Sequence, residues 1–512
     1  MEKIVKKHWE IFVLAVILIV AAYLRLYHIS GYMTFLGDEG RDVLVVKRII
    51  VDHKFTLLGP TASVGGFFLG PIYYYFMAPF LWLWRMDPTG PAVMVALFGI
   101  ATVFVVYNLG KELFGTFAAI AAAALYATSP LVIAYSRSSW NPNLVPFFAT
   151  LLFYLLYRTV AHNQWRLLFV IGLVFGIGLQ LHYLFAFLFV ATGIWFFLFG
   201  REKKYLPYYA LAVAGFIVGY APFLLFEVRH GFPNTRSVIQ FLLVGKETGF
   251  TPFGTIETIR DVSFRLFGRL VFRLPQPETW KTMPNWQQGL WWIVIRGSLV
   301  AVVIGLYKGI RRGRQQAQQA SWLLLLWLVT VVFLFGLYRR GIYDYYFGIA
   351  FALPFLLVGG ILSSLARRKL SGVLAVSLFV GILWFNWQGR PFIYGPNNQL
   401  AQARNIAKVA YEKAGGKPFN FALVAPLNSD HAYRYFFEIW GNAPVTIENV
   451  ANDPQRRTVT DQLIIICEEV NCQPLGHPLW EIAGFGRAEI AGKWQVPFVT
   501  IYRLTHYHSS AP

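Results

Sequence analysis

IFVLAVILIVAAYLRLYHISGYMTFLGDEGRD, residues 11–42, joins two opposite chemistries in one short run. Ile11 to Ile29 is mostly apolar and near the roughly 20 residues that a bilayer crossing needs. Lys3, Lys6 and Lys7 precede it, as in a signal peptide, but no Ala-x-Ala-like cleavage site follows. It is therefore expected to be a retained anchor. Directly beyond it stands Phe35–Leu36–Gly37–Asp38–Glu39–Gly40–Arg41–Asp42, with three carboxylates in five residues. The whole chain has only 25 acidic residues, so this density next to a span is unusual. Asp38 and Asp42 are four apart and share a face if the segment is helical. One reading is a solvated loop in which Asp38 caps a helix running to Ile50. The other is a general base or a metal-binding acid at the membrane surface. A partly desolvated carboxylate there gains basicity, which suits proton abstraction.

The rest of the chain extends this contrast. Of its 512 residues, 56% are hydrophobic and 14% charged, and mean hydropathy is +0.50. Soluble domains carry about 25% charged residues, so a soluble enzyme is excluded. Further spans are expected near 91–110, 115–135, 143–160, 166–182, 183–200, 206–226, 291–308, 321–338, 345–365 and 370–388, eleven in all. Ile72 to Trp84 is shorter and is read as a re-entrant or interfacial helix. Lys+Arg exceed Asp+Glu by 20. With eleven alternating spans, Lys111, Arg158, Arg166, Arg201, Lys203, Lys204, Lys308, Arg311, Arg312, Arg314, Arg367, Arg368 and Lys369 all join the N-terminus on the cytoplasmic side. The excess of positive charge thus sets orientation, and no nucleic-acid partner is needed.

This topology puts 30–90, 227–290 and everything after about 389 outside the cytoplasm. The expected domains are a membrane domain, 1–388, and a small α/β domain, 389–512. In the latter, Asn397 to Gly415 has the period of an amphipathic helix, and Phe419–Val424, Gln462–Cys467 and Val496–Arg503 have strand character. Cys467 and Cys472 fit either a local disulfide or two thiols.

Other outer segments carry candidate groups. Gly65 to Tyr75 mixes glycines with tyrosines, including Tyr73. Tyr135 to Asn143 is a short polar loop with Arg137 and Asn141, and such loops often carry function. His182 lies at an outer turn, and Arg229 opens a long outer loop. Arg260, Arg265, Arg269 and Arg273 alternate with apolar residues, as in a basic membrane-surface helix that binds lipid phosphate. Arg339 and Arg340, followed by Tyr345, oppose the positive-inside bias, and arginine pairs well with phosphate oxygens. The chain has no Walker loop, no H-E-x-x-H and no serine nucleophile elbow. Its spans hold few ionisable groups, unlike those of ion-coupled pumps.

In this order, these motifs resemble the membrane glycosyltransferases of the GT-C fold, in particular the family 39 or Rgt-like enzymes related to protein O-mannosyltransferases and lipid A aminoarabinose transferase. Asp38–Glu39 matches their first-loop acidic motif. Leu69 to Tyr75 is similar to a His/Lys-Pro-Pro-Leu-Tyr-Tyr-Trp-like stretch, with Leu69 in place of the basic residue and Gly70 in place of the first proline. Arg137 matches the next loop, where Asn141–Pro142 replaces Asp-Pro. The resemblance spans roughly residues 10–365. It implies an α-helical polytopic membrane protein of GT-C type with interfacial helices and an integral location in the cytoplasmic membrane.

The resemblance also implies a polyprenyl-phosphate sugar donor and a lipid, glycan or protein acceptor. Asp38 would be the base, supported by Glu39. Arg340, then Arg339, Arg137 and Arg229, would hold the donor phosphate. Arg41, Asp42, Tyr73, Asn141, His182 and Tyr345 would contact substrate. Asp38, Glu39 and Asp42 are also oxygen ligands of the kind that hold a divalent cation; no other cofactor is implied. The alternatives are a lipid-linked-sugar flippase or transporter and a non-catalytic envelope polysaccharide assembly protein.

Overall fold

The computed structural model describes residues 2–62, 65–244, 254–336, 342–426, 428–469 and 471–507. The chain is mostly helical and divides into two compact units. The first comprises 1–29, 55–76 and 92–395; the second comprises 30–54, 77–91 and 396–512. Two pieces of the expected outer loop therefore group with the C-terminal segment rather than with the helices around them.

Among the described residues of the chain, seven helices are long and apolar enough to cross a membrane: His8–Leu26, Thr89–Phe114, Asn141–Ala161, Lys203–His230, Asn285–Arg312, Gln315–Gly336 and Lys369–Trp387. An eighth is a pair bent by 56°, Asp344–Ala350 with Leu353–Leu365. The expected count of eleven is not reproduced, and the breaks have local causes. The run 115–135 stops at Thr128 and restarts at Pro130. Proline has no N–H and drives the residue before it out of the helical region, and Ser129 is extended at φ −63°, ψ 119°. His182 separates Leu168–Leu181 from Tyr183–Phe187 with φ −162°, ψ 132°, again extended. Ile72–Leu83 is 12 residues, roughly 18 Å at 1.5 Å per residue. That is short of the roughly 30 Å hydrocarbon layer.

Small residues bring two helices of this unit together. Gly172 and Gly176 on Leu168–Leu181 face Gly215 and Gly219 on Leu206–His230. A Cβ on Gly172 would lie 1.9 Å from the Ala212 carbonyl oxygen, and one on Gly215 1.9 Å from that of Phe169. Glycines four apart on facing helices allow backbones to touch, which drives association where no water is present to be expelled.

In the second unit, β1 (Asn420–Val424), β2 (Gln462–Cys467), β3 (Ala488–Val496) and β4 (Val499–His506) form one sheet in the order β1-β2-β4-β3. β1 and β2 pair in parallel, and the other pairs are antiparallel. Every residue of β1 and β2 is buried, as expected of parallel strands covered on both faces. Helix Gln399–Ala414 lies within the expected amphipathic segment and ends at Gly415 with φ 64°. The expected strand 496–503 is in fact a hairpin: Val496 ends β3, Pro497–Phe498 form the turn, and β4 follows. Cys467 and Cys472 are joined by a disulfide.

Candidate active site

The acidic motif forms the first turn of helix Gly37–Val51 in the second unit. Its glycines explain its placement. A Cβ on Gly40 would lie 2.3 Å from the Ala432 nitrogen and 2.5 Å from its Cα, and one on Gly37 would meet the Ser429 side chain at 2.0 Å. Only glycine lets this turn lie against the start of helix His431–Ile439. The Gly37 N–H donates to Asn428 Oδ1 at 3.0 Å, and Asn428 Nδ2 donates to Glu468 Oε1 at 3.1 Å. Tyr433 also donates to Glu468, at 2.7 Å.

The three carboxylates fare differently. Asp42 is fully buried and meets Arg41 at 2.8 Å. Arg41 reaches back to Asp38 Oδ1 at 3.0 Å. Asp38 itself stays 58% exposed, so one of its oxygens is accessible. Glu39 is buried and accepts the Leu36 N–H at 3.0 Å. Burial pushes its carboxyl up to about 7, and the charges of Asp42 and Asp38 add to that against the backbone hydrogen bonds. Among the described residues no group of three His, Cys, Asp or Glu side chains could hold a metal ion. Asp38, Glu39 and Asp42 do not fit a shared cation: Arg41 bridges both aspartates, and Glu39 turns back to the helix start. His431, which carries no motif in the sequence, feels the charges of both Arg41 and Asp38. Burial holds its imidazole below the usual value, with Arg41 and Arg434 adding to that against Asp430.

The first unit gathers four of the sequence motifs in one place. Tyr73 and Ser139 share a 2.7 Å hydrogen bond. Asn141 Nδ2 donates to the Leu181 carbonyl at 2.7 Å, beside His182. His182 accepts the Leu184 N–H at 3.2 Å and so caps the helix that follows. Its ring stacks on Tyr183 at 4.6 Å and lies 6.0 Å from Tyr345, which packs on Trp140 at 4.5 Å. Gln180 had no sequence signal. It accepts the Ile72 N–H at 3.3 Å and donates to the Gly219 carbonyl at 2.6 Å. A Cβ on Gly70 would lie 2.2 Å from Gln180 Cγ. Gly70, where the resembling family has proline, thus makes room for this glutamine.

The arginines divide into two groups. Arg137 is buried and donates to the carbonyls of Leu24 and Tyr27 at 2.7 and 2.8 Å. Arg25 likewise donates to the Ala127 carbonyl at 3.0 Å. Each cation satisfies carbonyls at the end of another helix, where the backbone dipole is negative. Arg265 and Arg269 are buried around Asp344, at 2.7 and 2.5 Å. Arg265 also meets Asp261 at 2.8 Å. The expected lipid-facing basic helix over 260–273 is therefore corrected: Phe264–Val271 is a buried π-helical turn whose charge is neutralised internally. Arg229 is exposed in the last turn of Leu206–His230. Arg339 and Arg340 lie outside the described residues.

Residues 69–226 match the family model described as dolichyl-phosphate-mannose-protein mannosyltransferase. No curated protein sequence matches the chain. The chain resembles ArnT from Cupriavidus metallidurans bound to undecaprenyl phosphate, with TM-score 0.59 and 12% identity over 97% of this chain and 98% of that one. This is a GT-C fold. It also resembles the Archaeoglobus fulgidus oligosaccharyltransferase in the apo form, with TM-score 0.51 and 14% identity over 94% of this chain and 71% of that one. The archaeal oligosaccharyltransferase AglB from Archaeoglobus fulgidus, in complex with an inhibitory peptide and a dolichol-phosphate, matches at TM-score 0.50 and 13% identity over 90% of this chain and 69% of that one. With this fold and its long apolar helices, the chain is an integral membrane protein.

Proposed function

We propose that this GT-C protein transfers a sugar from a polyprenyl-phosphate donor to an acceptor hydroxyl on the extracytoplasmic face, with inversion. The fold, the family-model match and the lipid phosphates bound by two of the similar proteins support a donor of this class. The observation that carries the mechanism is the Asp38 carboxylate: it is more than half exposed, while its two acidic neighbours are buried.

Asp38 takes the proton from the acceptor hydroxyl as that oxygen bonds to the anomeric carbon. The bond from that carbon to the phosphate oxygen breaks, and its electron pair leaves with the lipid phosphate. Attack opposite the leaving group inverts the anomeric centre. Arg41 orients Asp38. Glu39 anchors the turn through the Leu36 N–H. Negative charge grows on the departing phosphate, and positioned cations stabilise it. Arg340, Arg339 and Arg229 fill that role; Arg137, whose guanidinium closes a helix end, supports it by position. Tyr73, Asn141, His182 and Tyr345 contact the donor's polar portion, and Asp42 keeps Arg41 in place. Residues 1–388 act as the transferase domain and 389–512 as an extracytoplasmic domain.

The test is reconstitution of the purified protein with a short-chain polyprenyl-phosphate sugar and a crude acceptor extract. Transfer should be strongly reduced in Asp38→Ala and Arg340→Ala. Equal transfer by both variants and wild type would remove the mechanism. For orientation, a cysteine placed in 311–314 should resist an impermeant thiol reagent; labelling from outside would overturn the topology.

A further inference from the structure

The second unit contains a cavity of about 260 Å³ lined in part by Leu36, Gln399, Gln402, Glu468 and Phe498. Leu36 immediately precedes the acidic turn. Gln399 and Gln402 are three apart on one helix and so share a face. Gln399 uses Oε1 to accept the Phe35 N–H at 3.4 Å, which leaves its Nε2 as a donor. Gln402 uses Nε2 to donate to the Asn397 carbonyl at 3.0 Å, which leaves its Oε1 as an acceptor. The pair thus offers amide N–H donors and an acceptor oxygen from one helix face. Vicinal hydroxyls, each both donor and acceptor, match that arrangement.

Phe498 adds an apolar surface at a conformational cost. It occupies the second central position of the Pro497–Phe498 turn with φ 75°. A turn of this kind favours Gly or Asn there, because a side chain strains the left-handed backbone. Phe498 is nevertheless 76% exposed. Core packing does not explain a bulky ring at such a position, and strain of this kind points toward function. Aromatic rings supply a rigid apolar face at low entropy cost. The described lining contains no Lys or Arg and includes the Glu468 carboxylate, which disfavours an anionic ligand.

We infer that this cavity is a subsite for a neutral saccharide, with Phe498 against the sugar's apolar face and Gln399 and Gln402 on its hydroxyls. Assigning that saccharide to the acceptor rests on the transferase reading above; the binding does not. The test is saturation-transfer NMR on the full-length protein in detergent, with the methyl glycosides of glucose, galactose and mannose and the methyl glycoside of glucuronic acid. At least one neutral glycoside should bind, and the glucuronide should not. Phe498→Ala and Gln402→Ala should each weaken binding by about tenfold, or about 1.4 kcal/mol. Two variants on separate elements guard against local misfolding of either. Absence of neutral binding, preference for the glucuronide, or unchanged binding in both variants would overturn the subsite. No donor is present in this assay, so its failure is distinguishable from failure of transfer.

Discussion

The acidic turn at Gly37–Asp42 and the arginine pair Arg265–Arg269 both place charge in the folded protein, and they settle it in different ways. The arginines enclose Asp344, with Asp261 beside Arg265, so the cluster is internally compensated. The acidic turn distributes its charge unevenly between buried and exposed positions. One arginine serves two aspartates, Glu39 is buried and displaced toward neutral pH, and Asp38 stays accessible. Charge that is already matched stabilises a fold. Charge that stays accessible, as on Asp38, is available for chemistry.

Variants of the two clusters separate these two uses of charge. The largest effect expected is on catalysis: Asp38→Asn should slow transfer by about 10²–10⁴-fold, the range for loss of a general base, while the melting temperature holds. If transfer falls only in parallel with melting, Asp38 is structural like the arginine pair. Asp344→Asn should do the reverse. Leaving buried arginines without their counter-ion costs about 3–5 kcal/mol, read as a lower denaturation midpoint in detergent. An unchanged midpoint would mean that the cluster is not compensated as described.

Glu39 supplies a pH test. Its folded value of about 7 lies above the ordinary 4.5, so the folded state holds this proton more tightly. The stabilisation is complete below about pH 4.5 and disappears as pH rises through about 7. The gap corresponds to on the order of 3 kcal/mol at 1.36 kcal/mol per pH unit. Midpoints measured at about pH 5 and 8 should differ in wild type and converge in Glu39→Gln; equal slopes in both would contradict the burial effect. The smallest effect expected is that of Gly40→Ala. Helix propensity alone would favour alanine by about 1 kcal/mol. The clash with the Ala432 backbone should outweigh it, for a net loss of about 1–3 kcal/mol. A gain in stability would show that the two helices separate at little cost.

The sequence disclosed what is local. The apolar run, the carboxylates after it, the amphipathic helix near 399–414 and two buried strands follow from composition and period. What it hid depends on partners far away in the chain. Arg265 and Arg269 have the spacing of a membrane-surface helix, and only Asp344, some 75 residues on, shows that they face inward. Gly37 and Gly40 pass for ordinary turn glycines until Ser429 and Ala432 are seen against them. The signal at Pro130 was present but was outweighed by the hydropathy on both sides. His182 could be picked out as a candidate but not as the cap of a helix. At Val496–Arg503 strand propensity concealed the turn, because Phe498 stands where a turn usually shows glycine.

In the proposed mechanism Asp38 accepts the acceptor's proton. Its most direct test is the single-turnover transfer rate of Asp38→Ala from a short-chain polyprenyl-phosphate sugar, with and without added formate. The rate should lie far below wild type and rise as formate substitutes for the missing carboxylate. A rate equal to wild type without formate would contradict it.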